Sequence, residues 1–100
     1  MTDRLFTALL HVVPTEKGGR RTPFKNGYRP QFHIAGASCC TSFMIRRIDG
    51  SDEMAPGQTG TVQAFLLSPE GLGVPVDEGA KFELREGHTV IATGVIQKYL

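Results

Sequence analysis

The sequence lacks tryptophan and has only two tyrosines and two cysteines among its 100 residues. With so little cysteine it is not a disulfide-stapled mini-protein. Cys39 and Cys40 are adjacent, a disulfide between neighbours is strained, and reduced thiols in a cytoplasmic setting are predicted. No apolar run approaches the ~18 residues that span a bilayer, so no membrane is predicted. A leader peptide is also not predicted: Asp3 precedes the apolar stretch Leu5 to Val13, His11 interrupts it, and no small-residue cleavage site follows. There is no G-x-x-x-x-G-K-[ST] and no G-x-G-x-x-G, so no loop is available to cradle a nucleotide phosphate.

What is present is apolar enough to fold. Leu, Ile, Val and Phe make up 26 residues, which excludes disorder. The length suits one domain, residues 1–100, with one core. Net charge is +1, but residues 1–48 carry +6 and residues 49–100 carry −5. Lys17, Arg20, Arg21, Lys25 and Arg29 cluster in one Gly/Pro-punctuated stretch. This is either an anion-binding face or a solvated rim opposite an acidic one.

The periodicity is that of strands. Phe6, Ala8, Leu10 and Val12 alternate with Thr7, Leu9 and His11, giving one apolar face. Strands are predicted over 4–13, 31–35, 40–47, 60–67, 80–86 and 89–99, with Gly87-His88 as a tight turn. In the third, Phe43, Ile45 and Arg47 share one face. In the fourth, Val62, Ala64 and Leu66 point inward. Convincing helical periodicity is absent, so a small antiparallel all-β barrel is predicted, and closure removes its exposed edges.

Chemistry is thinly marked. His11, His33 and His88 share no metal-ligand spacing, and Cys39 and Cys40 are predicted to face opposite ways, so no metal is expected. A Cys–His nucleophile would lack an orienting third group. The acidic pairs Asp52/Glu53 and Asp77/Glu78 sit in polar loops. No cofactor and no catalysis are predicted.

The segment from Gly18 to Phe32 stands apart. It reads GGRRTPFKNGYRPQF, with glycines and prolines shaping a loop that presents Arg20, Arg21, Arg29 and Gln31. Arg forks suit phosphates or carboxylates. The alternative is a structural role, with Thr22, Pro23, Phe24 and Tyr28 plugging a barrel end and Arg20 and Arg29 pairing with Asp77, Glu78 or Glu86.

This run resembles GGRHTPFFxGYRPQF of the third, C-terminal domain of elongation factor Tu, with Arg21 and Lys25 departing from it. The likeness continues through Met54-Ala55-Pro56-Gly57, Leu67-Ser68-Pro69, Gly79 to Gly87 and Gly94 to Lys98, in the family's order. Ala35 to Cys40 replaces the family's RTTDVTG run, and the loop after Pro69 is longer by about four residues than the family pattern. The GTPase and second domains have no counterpart here, so the chain reads as a third-domain homologue on its own.

The resemblance implies a six-stranded antiparallel barrel with two surfaces. One packs on the factor's other domains. The other touches the T arm of aminoacyl-tRNA, and the domain also contributes contacts to the nucleotide-exchange factor. On the RNA face, Arg20, Gln31 and Gly87 keep the family residue, with Arg21, Glu86 and His88 beside them. Cys40 falls near a family Thr contact, and Ser68 stands where some members carry a basic residue. The domain, which has no nucleotide of its own, is predicted to bind a translation-machinery protein, a second copy of itself, or tRNA. A protein interface is expected at Leu9, Phe65 and Leu67, on outward strand positions.

Overall fold

The computed structural model describes residues 4–100; Asp3, cited above against a leader peptide, lies outside them. Eight strands follow in order: β1 Arg4–Val12, β2 Phe24–Lys25, β3 Gln31–His33, β4 Thr41–Ile48, β5 Glu53–Met54, β6 Thr59–Leu66, β7 Lys81–Glu86 and β8 Thr89–Tyr99. Six of them close a barrel in the order β1-β6-β4-β3-β7-β8, with every neighbouring pair antiparallel. β2 and β5 form a separate two-stranded sheet, pairing Phe24 with Met54. Short 3₁₀ turns occupy Thr15–Lys17 and Pro69–Leu72.

The barrel forms because every long strand carries alternating apolar residues, which cannot be buried unless the sheet curls on itself. Phe6, Ala8, Leu10 and Val12 of β1 are fully buried, as are Val62, Ala64 and Leu66 of β6. Four phenylalanines fill the centre. Phe32 lies 4.9 Å from Phe82 and 6.4 Å from Phe43, and Phe6 meets Phe43 edge-on at 5.8 Å. Gly94 is required beside them, because a Cβ there would sit 2.4 Å from Phe82 Cζ. Among the described residues no polar or charged side chain is buried, so the core stabilises by apolar burial alone.

The strands predicted from the sequence appear, with ends shifted by one or two residues. The third departs in its facing. Its pairing with β6 slips between Ile45 and Arg47, so Arg46 and Arg47 are both exposed and Ile48, not Arg47, turns inward. A bulge inserts one residue and resets the alternation, which keeps both guanidinium groups in water. The miniature β2–β5 sheet lies within stretches predicted as loops.

Candidate functional site

The segment from Thr15 to Pro30 is built by local backbone constraints. Lys17 and Gly18 donate to Pro14 O and Thr15 O, and the Thr15 hydroxyl donates to Arg20 O at 2.6 Å. Gly19 passes so close to the chain that a Cβ would lie 2.1 Å from Val13 O. The Gly18-Gly19 pair therefore sets the path that delivers Arg20. Further on, Gly27 N–H donates to Ile45 O, and Ile45 N–H donates to Tyr28 O at 2.9 Å, which lays the segment against β4. Phe24 enters the core with no exposure, and its ring lies 4.9 Å from that of Tyr28.

Arg20 is consequently held in a cluster. Its Nη1 donates to Glu86 Oε2 at 2.6 Å and its Nη2 to Thr22 Oγ1 at 2.8 Å. Its guanidinium lies 4.3 Å from the Tyr28 ring centroid, a cation–π distance. The Tyr28 hydroxyl donates to the same Glu86 oxygen. Burial and that hydrogen bond hold the Tyr28 phenol well above its ordinary value of 10.0, against the opposing effect of Arg20. Arg20 Nε is buried without an acceptor. Arg20 is 20% exposed and Glu86 47%, so the pair is only partly screened by water.

Of the six residues named for the RNA face, Arg20 and Glu86 are in direct contact, and Arg21, Gly87 and His88 are their neighbours along the chain. Gly87 and His88 follow Glu86 in the two-residue turn between β7 and β8, where Gly87 takes φ +59, a conformation that glycine adopts at little cost. Gln31 opens β3 opposite Arg85, and its Oε1 lies 3.4 Å from His33 Nε2. Arg21 is exposed. Arg21, Lys25 and Arg29 have no acidic partner within 4.0 Å among the described residues. The pairing expected of Arg29 with Asp77, Glu78 or Glu86 is therefore not made. Glu86 faces Arg20, and Glu78 accepts from the Tyr99 backbone N–H at 2.9 Å.

Of the three residues named for a protein interface, Phe65 and Leu67 lie near each other and Leu9 lies apart. Phe65 sits in an outward row between Leu5 and Met44, with the Arg46 guanidinium 5.8 Å from its ring. Leu67 lies past the end of β6, and its carbonyl accepts the Thr41 hydroxyl. Leu9 is about 13 Å along β1 from Leu5, beyond the polar row of Thr7 and Gln63. The half-buried Phe65 and Leu67 are thus apart from Leu9, which is 40% exposed.

Leu9 instead lines a groove of about 880 Å³ on the outer wall. Its floor is Leu9 and Val95, paired across β1 and β8, with Ile34 and Ala37 at one side. A polar row crosses it, because His33 pairs with Glu83, Glu83 with Thr93, and Thr93 with His11. Arg85 donates to Glu83 Oε1 at 2.6 Å. Burial and the Arg85 charge hold the His33 imidazole below its ordinary value, against the smaller pull of Glu83. The groove was not foreseen. Outward positions on β1 and β8 were readable, but not which of them the register sets side by side.

Among the described residues no group of three or more His, Cys, Asp or Glu could hold a metal ion. No helix there is long and apolar enough to cross a membrane.

A closed six-stranded antiparallel barrel, with a Gly-Gly-Arg loop clamped to its last hairpin, defines a class of small all-β barrel domain. The family described as Elongation factor Tu C-terminal domain matches residues 1–100, the whole chain. The chain belongs to that family, whose domain is non-catalytic and works in translation-related binding.

Proposed function

We propose that this domain is a protein-interaction module linked to the translation machinery, and that the groove around Leu9 receives the partner. The supporting observation is the groove itself. It has an apolar floor at Leu9 and Val95, and the polar row of His33, Glu83, Thr93 and His11 that crosses it can orient a partner. The partner is a translation component or a second copy of the chain. Leu9→Thr removes apolar contact while keeping strand preference. Affinity capture from a lysate with wild type and Leu9→Thr tests this. A translation component, or the chain itself, retained by wild type and released by the variant supports the reading. Equal retention by both proteins contradicts it.

A second reading rests on Arg21, Lys25 and Arg29. These exposed cations lie in the loop that is clamped to the β7–β8 turn, and they supply weak, salt-dependent affinity for the tRNA T arm through the 17–31 loop. Binding in the micromolar range or weaker is expected. In an amide-resonance titration with aminoacyl-tRNA, Arg21, Gln31, Gly87 and His88 should shift saturably and less at moderate salt. No shift at low salt removes this reading.

A further inference from the structure

Cys39 and Cys40 are both free and exposed, in the connection between β3 and β4. Consecutive Cα atoms lie about 3.8 Å apart, below the roughly 4.4–6.8 Å that ordinary disulfides span. A direct bond between the two sulfurs is strained and readily reduced, and both cysteines are free in the structure. The two cysteines lie outside the strands, with Cys39 in a bend, so the strand rule that sends neighbours to opposite faces does not bind them. The Cys39 thiol donates to Gly71 O, with the sulfur 3.2 Å away. No hydrogen bond engages the Cys40 thiol among the described residues.

We propose that Cys39 and Cys40 act together as a two-thiolate site for a soft, thiophilic centre of the arsenic(III) or copper(I) kind. Thiolates select soft centres. One bridging atom enlarges the ring that a direct disulfide would close, and so relieves the strain of a direct bond between the sulfurs. A tetrahedral zinc site needs four protein ligands, and no third or fourth is gathered here among the described residues. Among the described residues the one local bond to be given up is that of the Cys39 thiol, a weak donor at an exposed position, to the Gly71 carbonyl, and water replaces it. With phenylarsine oxide the step is balanced without oxidation. Two S–H bonds and the arsenic–oxygen double bond break, two As–S bonds form, and one water leaves.

The test uses the reduced full chain. Phenylarsine oxide should add once per molecule by intact mass. The adduct should survive excess glutathione, a monothiol, and be reversed by dithiothreitol, a dithiol. Cys39→Ser and Cys40→Ser should each lose about 100-fold or more in apparent affinity, because the second thiolate acts at high effective concentration. Amide resonances of Gly71 and Leu72 should shift on binding in the wild type. Copper(I) supplied as its bicinchoninate complex gives the second arm. Transfer to the wild type but to neither serine variant extends the site to soft metal ions, and arsenical uptake alone restricts it to metalloids. An adduct that glutathione strips, or that either serine variant retains as well as wild type, overturns the proposal. Neither cysteine lies in the barrel core, so circular dichroism of the variants separates a lost site from a lost fold.

Discussion

Replacing Glu86 with alanine removes the one acceptor shared by Arg20 and Tyr28. Fully exposed ion pairs contribute about 0.2–1 kcal/mol, whereas hydrogen bonds to charged groups contribute about 1.5–3 kcal/mol. The pair is 20% and 47% exposed, which places it between those limits. The guanidinium would keep Thr22 and the Tyr28 ring, while its Nε already lacks an acceptor. A loss of about 2 kcal/mol follows, and for a domain of this size that lowers Tm by about 10 °C. Tyr28→Phe removes one of the two bonds and should cost about 1 kcal/mol. Urea unfolding of wild type, both single variants and the double variant closes a cycle. The coupling between Tyr28 and Glu86 should be at least about 0.5 kcal/mol. Purely additive losses, or a Glu86→Ala cost below about 0.5 kcal/mol, would refute the clamp. The same substitution releases Arg20 and deletes a negative charge, so tRNA affinity on the second reading should rise while stability falls. Parallel losses in both would contradict the view that Glu86 neutralises Arg20.

Four further outcomes are expected. Phe24→Ala should cost about 3–5 kcal/mol by calorimetry, because the ring is fully buried at the end of the core. Gly94→Ala should cost about 1–3 kcal/mol in urea unfolding, because its methyl would press on Phe82 and Leu10. Tyr28 and Tyr99 are both held above the ordinary value of 10.0, chiefly by burial. Their raised folded values contribute stability that is complete below about pH 10 and is lost as pH rises through those values, so Tyr28→Phe should flatten an alkaline unfolding profile. His33 has the opposite sign: its lowered folded value contributes stability above the ordinary 6.5 that is lost as pH falls through the folded value. His33→Gln should flatten the acid limb of the same profile.

Much of the fold was legible, for reasons tied to particular residues. The alternation of Phe6, Ala8, Leu10 and Val12 admits only one buried face, and the barrel closes on it. The facing of Arg47 was not legible, because a bulge at Ile45/Arg47 depends on the partner strand. β2 and β5 were not legible either. Phe24 and Met54 are single apolar residues in polar stretches, and only their pairing makes a sheet. At the candidate site, the structural alternative for the Gly18–Phe32 run anticipated both the burial of Phe24 and the pairing of Arg20 with Glu86. Tyr28 as second donor to Glu86 needed the fold, since 58 residues separate the two. The groove at Leu9 depends on cross-strand register in the same way.

The interaction reading is tested most directly by site-specific photocrosslinking in cells. One photoreactive residue replaces Leu9 in the groove floor, and another replaces the exposed Asp52 in the 49–58 loop as a control. A discrete adduct is expected from position 9, to a translation component or to a second copy, and none of the same mass from position 52. Indistinguishable adducts from both positions, or a position-9 adduct to RNA alone, would contradict that reading.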